Sequence, residues 1–115
     1  MAWKRSKYNS RKVVVDGHKF DSEREAMRYR ALKKMEQEGK IAQLELQPRF
    51  ELQSEFVYKG QKMNKIEYIA DFKYLDYERG GLVVEDVKGI KTTVYRLKKK
   101  LFLAKYGNGL IFEEV

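Results

Sequence analysis

Two acidic residues and a lysine form the most informative pattern in this 115-residue sequence. Asp71 lies in one strand-like segment, and Asp86 and Lys88 lie in the next. Because side chains alternate along a strand, Asp86 and Lys88 share a face, roughly 6.6 Å apart along the strand, while Glu85 points to the other face. A hairpin between the two segments would place Asp71 beside them. The pattern therefore predicts two carboxylates and an ammonium group at one place in a sheet.

Such a cluster suits the hydrolysis of phosphodiester bonds. One or two carboxylates hold Mg²⁺ or Mn²⁺, and water and phosphate oxygens complete the coordination. The metal makes a water nucleophilic and stabilises charge on the phosphate, while a lysine can orient that water or neutralise the developing charge. A carboxylate and a lysine on one strand face are also a common surface ion pair that stabilises a protein only weakly. The D-x-K string alone therefore does not establish a site.

Composition narrows the possible chemistry. The sequence has no cysteine, which excludes disulfides and thiolate metal centres, and its one histidine, His18, disfavours a histidine zinc site or a Ser-His-Asp triad. We interpret His18 as a surface residue of a hairpin. The absence of a long apolar run and of a signal-peptide pattern predicts a cytoplasmic protein without a membrane span. Any metal chemistry must then depend on carboxylates.

The net charge of +8 points to a polyanionic partner, and the basic residues cluster in two regions. Residues 1–12 are predicted to be a flexible basic arm, and a second basic run follows Lys88. Either run could bind a DNA backbone or could simply be solvated. The predicted DNA contacts are Lys4, Arg5, Lys7, Lys91, Arg96, Lys98, Lys99 and Lys100.

Periodicity and turn signals predict a single α+β domain over residues 13–115. An N-terminal β-hairpin is followed by a helix, a strand-rich middle, a second helix and a last strand. The predicted elements are a hairpin of Val13–Val15 and His18–Phe20, a helix over Glu23–Glu38, strands over Leu44–Gln47, Phe50–Tyr58, Ile66–Asp76 and Leu82–Lys88, a helix over Thr93–Tyr106 and a strand over Leu110–Phe112.

Two of these elements carry specific predictions about their buried faces. On the long strand, alternation places Tyr68, Ala70, Phe72 and Tyr74 on one face. On the second helix, the apolar face is predicted to be Val94, Leu97, Leu101 and Ala104, widened by Tyr95, Phe102 and Tyr106.

The order of these features resembles the PD-(D/E)XK nuclease superfamily, in which a helix acid, an Asp on one strand and (D/E)-x-K on the next build one metal site. Asp71 matches the first Asp, and Asp86-Val87-Lys88 matches (D/E)-x-K. Ala70 replaces the usual Pro, and Asp86 stands where Glu is more usual. The segment Phe20 to Glu25 is similar to the helix start of small phage resolvase-type endonucleases. The nearest likeness, over Lys7 to Phe112, is a family of short phage and prophage proteins of unassigned function.

The resemblance implies a restriction-endonuclease-like core, a central mixed sheet flanked by two helices. It implies that Asp71, Asp86 and the Val87 backbone carbonyl hold Mg²⁺ or Mn²⁺, that Glu25 completes the site and that Lys88 positions the attacking water. It also implies a phage or prophage endonuclease that leaves 5′-phosphate and 3′-hydroxyl ends. A substrate of branched DNA, such as a Holliday junction, and a homodimer that cuts two strands would suit so small an enzyme.

Several alternatives stay open. Glu25 has the spacing of a capping-box residue behind Ser22, which needs no active site, and Glu23 is the other possible helix acid. Gln47 is a weak site candidate, for which an edge-strand position is favoured. The whole chain could also be a non-catalytic module that binds nucleic acid, or an interaction protein of a host or phage replication complex.

Overall fold

The computed structural model describes residues 12–87 and 89–115, so the predicted DNA contacts Lys4, Arg5 and Lys7 and the predicted catalytic Lys88 lie outside the described residues. No helix in the described ranges combines the length and the apolar character that crossing a membrane requires. The elements are β1 (Val13–Val15), β2 (His18–Phe20), α1 (Glu23–Gln37), β3 (Ile41–Leu46), β4 (Arg49–Gln53), β5 (Phe56–Tyr58), β6 (Gln61–Met63), β7 (Ile66–Ile69), β8 (Phe72–Asp76), β9 (Gly81–Asp86), α2 (Thr93–Tyr106) and β10 (Ile111–Glu114).

A mixed four-stranded sheet forms the centre of the fold, in the order β10-β9-β8-β3. Strand β8 is antiparallel to both β3 and β9, whereas β10 runs parallel to β9 after the α2 crossover. The parallel pair requires such a crossover, because a short turn can only reverse the chain. The predicted α+β class with a mixed sheet and two helices is confirmed.

The two helices cover opposite faces of this sheet, because neighbouring residues on β9 point to opposite sides. Val83 faces α1 and Val84 faces α2. The buried cluster on the α1 side consists of Phe20, Ala26, Tyr29, Leu32, Ile41, Phe72, Tyr74 and Val83. The buried cluster on the α2 side consists of Tyr68, Ala70, Val84, Tyr95 and Phe102.

The predicted strand from Ile66 to Asp76 is two strands, β7 and β8, separated by a bend at Ala70 and Asp71. The prediction that its aromatic residues share one face is therefore wrong. Tyr68 packs on the α2 side, whereas Phe72 packs on the α1 side. The chain exchanges partners at the bend, since β7 pairs with β4 while β8 pairs with β3 and β9.

Strands β4 to β7 form a two-stranded antiparallel ribbon over residues 49–69, called the ribbon below. The predicted single stretch Phe50–Tyr58 is thus divided between β4 and β5. At the base of the ribbon, the ring of Phe50 lies 4.7 Å from that of Phe102 and 5.3 Å from that of Tyr106. The base is anchored on α2, and β5 and β6 extend it outward as a hairpin.

Helix α2 has the predicted bounds but not the predicted orientation. Tyr95 and Phe102 are buried, whereas Val94, Leu97 and Leu101 are exposed. The ring of Phe102 lies 4.9 Å from that of Tyr68. Aromatic side chains bury more area than aliphatic ones and gain from mutual packing, so the aromatic face of the helix turns toward the sheet.

Candidate functional site

Three acidic side chains from three elements meet at one end of the central sheet. Glu25 lies in the first turn of α1, Asp71 lies at the bend before β8, and Asp86 is the last residue of β9. The carboxyl group of Asp71 lies close enough to those of Glu25 and Asp86 to interact with both. Glu25 is 8% exposed and Asp86 is fully buried. The structure therefore brings together the three acids that the sequence analysis selected.

Backbone hydrogen bonds hold Asp71 in place. The Val87 N–H donates to Asp71 Oδ2 at 2.6 Å. The Asp71 N–H donates to the Glu85 carbonyl at 3.0 Å, and the Gln47 N–H donates to the Asp71 carbonyl at 2.9 Å. Because hydrogen bonds from β9, from the residue after β9 and from the residue after β3 fix Asp71, its side chain has a defined direction at the point where the strand pairing changes.

The carboxyl group of Asp71 is unusually basic. Burial, followed by the hydrogen bond with Glu25, raises its pKa to about 7, although the Val87 N–H acts in the opposite direction. Burial disfavours the charged carboxylate, and a nearby acid adds repulsion. Near neutral pH, Asp71 can therefore remain protonated beside Glu25. Two carboxyl groups that share a proton are also able to share a cation.

Glu25 takes part in the helix cap and also lies beside Asp71, so the two positions that the sequence left open are compatible. Its backbone N–H donates to Ser22 Oγ at 3.1 Å, which is the predicted helix cap. Its side chain accepts a long hydrogen bond of 3.4 Å from the Asp21 N–H and also contacts Asp71. The alternative acid, Glu23, is exposed and lines a different pocket with Arg30. Glu25 is thus the helix acid at this site.

The two acids at the end of β9 have different surroundings. On the α2 side, Asp86 Oδ2 accepts a hydrogen bond from the Tyr68 hydroxyl. On the α1 side, Glu85 accepts from Arg28 through Nε at 2.7 Å and Nη2 at 2.5 Å, and from the Tyr74 hydroxyl. The prediction that Glu85 points away from Asp86 is confirmed, and Glu85 is held in a buried ion pair.

A pocket of about 240 Å³ opens beside Glu25 and Asp71, between the β1–β2 hairpin and the end of β3. Its lining residues are Gly17, His18, Lys19, Phe20, Glu25, Leu46, Gln47 and Asp71. Gln47 directly follows β3, an edge strand of the central sheet, so the favoured prediction of an edge position is confirmed, and Gln47 also lines this pocket. Its φ of 50° is uncommon for a residue other than glycine.

His18 and Lys19 also line this pocket, although the sequence analysis gave His18 only a surface role and did not select Lys19. Both belong to the hairpin immediately before α1. The available sequence signal was this closeness to the helix that carries Glu25. Which side of the hairpin folds over the pocket depends on packing that periodicity does not reveal.

Two of the predicted DNA contacts form ion pairs with a glutamate of the same chain. Lys91 and Lys99 lie 3.3 and 3.0 Å from the carboxylate oxygens of Glu114, which also accepts from the Tyr95 hydroxyl at 2.5 Å. These donors, the tyrosine first, hold the pKa of Glu114 at about 2. Both contacts are exposed ion pairs, which stabilise little, so the prediction that these lysines contact DNA stays a prediction.

The remaining predicted contacts on α2 do not form a continuous basic surface. Arg96 and Lys100 are exposed and Lys98 is half-buried. By helical geometry, the exposed Leu97 and Leu101 lie on a strip between Lys98 and Lys100. The face is amphipathic, with basic edges and an apolar centre.

The described residues, 12–87 and 89–115, offer few side-chain arrangements for binding a metal ion. No group of three or more acidic, histidine or cysteine side chains in these ranges is arranged so that it could hold a metal ion. The interacting pair of Asp71 and Asp86 is the arrangement that remains. Val87 lies next to it with its N–H on Asp71, so the predicted ligand role of its carbonyl stays a prediction.

The chain belongs to the family described as Protein of unknown function (DUF1064), whose match covers residues 5–112. No curated protein sequence and no solved structure shows significant similarity to it.

Proposed function

We propose that this protein is a metal-dependent DNA endonuclease with a PD-(D/E)XK-type site. The observation that carries the proposal is the meeting of Asp71 with Asp86 and Glu25 beside an open pocket. The acids come from a strand bend, the adjacent strand and the first helix, which are the three places that the resemblance implies. Buried acids gathered at a pocket, with a raised pKa at one of them, are typical of functional sites.

The topology supports this proposal at the level of element order. The central elements follow as α1, β3, β8, β9, α2 and β10, with the two helices on opposite faces of a mixed sheet. This order is compatible with the restriction-endonuclease-like core that the resemblance implies. Fold similarity alone does not assign an activity, so the argument rests on the acids.

The donor set fits a hard divalent cation. Mg²⁺ is usually held by one or two carboxylates, with water and substrate phosphate in the other positions. Asp71 and Asp86 supply such a pair, and Glu25 is close enough to Asp71 to support it. When bound, the ion would supply a nucleophilic water and stabilise charge on the phosphate.

The residues around this pair have roles that follow from their contacts. The Val87 N–H orients Asp71, and the Tyr68 hydroxyl orients Asp86. Lys19 and Gln47 line the pocket, where an ammonium and an amide group can hold a phosphate. Lys88 is proposed to position the attacking water, by resemblance.

The substrate is proposed to be branched DNA of the Holliday-junction type, cut by a homodimer with 5′-phosphate and 3′-hydroxyl products. A two-fold dimer presents two sites to two strands. The cellular setting would be recombination, replication or packaging of phage DNA in the bacterial cytoplasm. These parts of the proposal rest on the resemblance.

The test is nicking of a four-way junction, a plasmid, single-stranded DNA and linear duplex, each with Mg²⁺, Mn²⁺ or EDTA. Asp71→Asn, Asp86→Asn and Lys88→Ala are expected to reduce the rate by at least about 100-fold, as loss of a group that stabilises the transition state does. Glu25→Gln should also reduce it, whereas the matched helix variant Glu23→Gln should not.

Equal nicking by the wild type and the Asp71→Asn variant would overturn the proposal, because the activity would then come from a contaminant. DNA binding without any metal-dependent nicking would identify the chain as the non-catalytic binding module instead.

A further inference from the structure

We propose that the outer half of the ribbon, residues 56–65, is a second DNA-binding surface that lies in a groove of the nucleic acid away from the acidic pocket. The outer half consists of β5, β6, the turn that joins them and the two residues after β6. Its ligand, DNA, depends on the proposed function, but its binding can be measured separately from cleavage.

The first argument is the exposure of three consecutive apolar residues. Phe56, Val57 and Tyr58 are 46%, 69% and 56% exposed. The strand that holds them pairs with β6. A run of three exposed apolar residues is unfavourable in water unless a partner covers it, and a two-stranded hairpin without further packing is only marginally stable. A purely structural role does not account for this composition.

The second argument is charge, which selects the class of partner. The outer half contains Lys59, Lys62 and Lys65 and no acidic residue. Two of these exposed lysines have long ion pairs, Lys62 with the exposed Glu55 at 3.7 Å and Lys65 with the half-buried Glu67 at 3.4 Å. Exposed pairs of this kind stabilise little, so the lysines can exchange them for phosphates.

Aromatic side chains stand among these lysines. The ammonium group of Lys59 lies 5.5 Å from the centre of the Tyr58 ring. Lysines interleaved with exposed aromatic rings are typical of surfaces that contact both the phosphates and the bases of a nucleic acid. An acidic protein partner would satisfy the lysines but would not require the rings.

The third argument is the register of the hairpin. Phe56 pairs with Met63 and Tyr58 pairs with Gln61, so both aromatic rings lie on the same face. Val57 pairs with Lys62 on the other face. The major groove of DNA is about 12 Å wide and admits a two-stranded ribbon. One face can then contact sugars and base edges while the lysines contact phosphates.

The base of the ribbon is well placed to hold DNA relative to the acids. The Tyr106 hydroxyl and Lys105 Nζ donate to the Glu51 carbonyl at 2.8 and 3.1 Å. On the other strand, Tyr68 donates to Asp86, and the chain continues directly into Asp71. Residues 49–59, which comprise β4, β5 and the residues that join and follow them, would span about 30 Å when extended. The outer half would therefore contact DNA up to about nine base pairs from the pocket.

The experiment measures DNA affinity in EDTA, which separates binding from metal-dependent cleavage. Fluorescence anisotropy would follow a labelled 30-base-pair duplex and a four-way junction over a range of salt concentrations. The variant F56A/Y58A is expected to bind at least about tenfold more weakly, from the loss of ring contacts. K59E/K62E should also bind more weakly and should lower the slope of log affinity against log salt by about 2.

The matched controls are Tyr77→Ala and Lys40→Glu, an exposed aromatic residue and an exposed lysine elsewhere on the surface. Their affinities should equal that of the wild type. Circular dichroism checks that each variant is folded, and Lys62→Glu alone provides a milder change in the same hairpin.

Each outcome separates this proposal from the nuclease proposal. Unchanged affinity of all ribbon variants would overturn the ribbon proposal, whatever the nicking assay shows. Reduced affinity together with no nicking by the wild type would support the ribbon and overturn the nuclease. A wild type that binds neither DNA would overturn both. Lower self-association of F56A/Y58A with unchanged DNA affinity, measured by sedimentation, would show that the ribbon joins copies of the chain and would contradict DNA binding.

Discussion

Glu85 and Asp86 are adjacent on β9 and equally buried, but they lie in opposite kinds of environment. Glu85 faces α1, where the guanidinium of Arg28 and the hydroxyl of Tyr74 bind its two oxygens. Asp86 faces the other side, where it accepts from Tyr68 and contacts the carboxyl group of Asp71. One acid is matched by a cation within the fold, whereas the other is gathered with further acids next to a pocket.

The difference teaches which acid stabilises the protein and which is available for chemistry. A buried carboxylate with a bidentate guanidinium has its charge satisfied. Acids placed close together repel one another, which costs stability unless a proton or a metal ion is shared between them. Under the proposed function, these two residues of similar type, side by side in the sequence, have separate roles, Glu85 in stability and Asp86 in chemistry.

The largest expected effect comes from removing the ion pair between Arg28 and Glu85. Arg28→Ala leaves a buried carboxylate without its cation, which typically costs about 3–5 kcal/mol of unfolding free energy. Urea unfolding followed by circular dichroism would measure the loss. Asp86→Asn should cost far less stability while it abolishes nicking. A smaller loss for Arg28→Ala than for Asp86→Asn would contradict this division of roles.

The pH dependence of stability gives the next largest effect. The pKa of Asp71 is raised from its ordinary value near 4 to about 7, so folding favours its protonated form. The folded state then binds more protons than the unfolded state between these pH values, and stability falls as pH rises through this window. The metal-free wild type should lose about 3–4 kcal/mol from pH 4 to pH 8 through this residue.

Asp71→Asn removes this titration, because an amide does not ionise in this range. Its stability should be higher than that of the wild type at pH 8 without metal, and its pH profile should be flatter. A wild type that becomes more stable between pH 5 and pH 8, with the variant following the same curve, would contradict the raised pKa.

Divalent metal should act on the same group in the opposite direction. Mg²⁺ or Mn²⁺ at about 10 to 30 times its dissociation constant should stabilise the wild type by about 1.4–2 kcal/mol at pH 8. Thermal melts with and without the metal would measure this shift. The double variant D71N/D86N should show no shift, and an equal shift in both proteins would place metal binding elsewhere.

The smallest effect compares the two tyrosines that donate to these acids. Tyr74→Phe removes the hydroxyl on Glu85, and Tyr68→Phe removes the hydroxyl on Asp86. Each should cost about 1–2 kcal/mol in thermal or urea unfolding, as loss of a hydrogen bond to a charged group does. Tyr68→Phe should also slow nicking, whereas Tyr74→Phe should leave it unchanged. Equal effects on nicking would contradict a special role for the Asp86 side.

Several local features of this fold were predictable because they depend on nearby residues. Ser22 caps α1, and Thr92 caps α2 by accepting from the Tyr95 N–H at 3.1 Å. The Asp16-Gly17 turn between β1 and β2 has positive φ values of 53° and 79°, as an Asp-Gly hairpin turn requires. The opposite orientation of Glu85 and Asp86 follows from strand alternation alone.

The wrong predictions concern choices between competing partners in space. The Ile66–Asp76 pattern contained no glycine or proline at Ala70 to mark the bend, which arises because the chain leaves β4 for β3 and β9. The predicted apolar face of α2 centred on aliphatic residues and was widened by aromatic ones, but only the aromatic part packs, on Phe50 and Tyr68. Periodicity shows which residues of a helix are apolar. It does not show which of two apolar strips, here an aromatic and an aliphatic one, packs on the sheet.

The types and order of the acids, the two helices and the basic surplus were present in the sequence, because local spacing and composition dictate them. The meeting of Asp71 with Glu25, the closure of the pocket by His18, Lys19 and Gln47, and the exposure of the outer ribbon required the tertiary structure. These features depend on contacts between residues far apart in the chain, where burial and pairing decide among local patterns that are equally favourable.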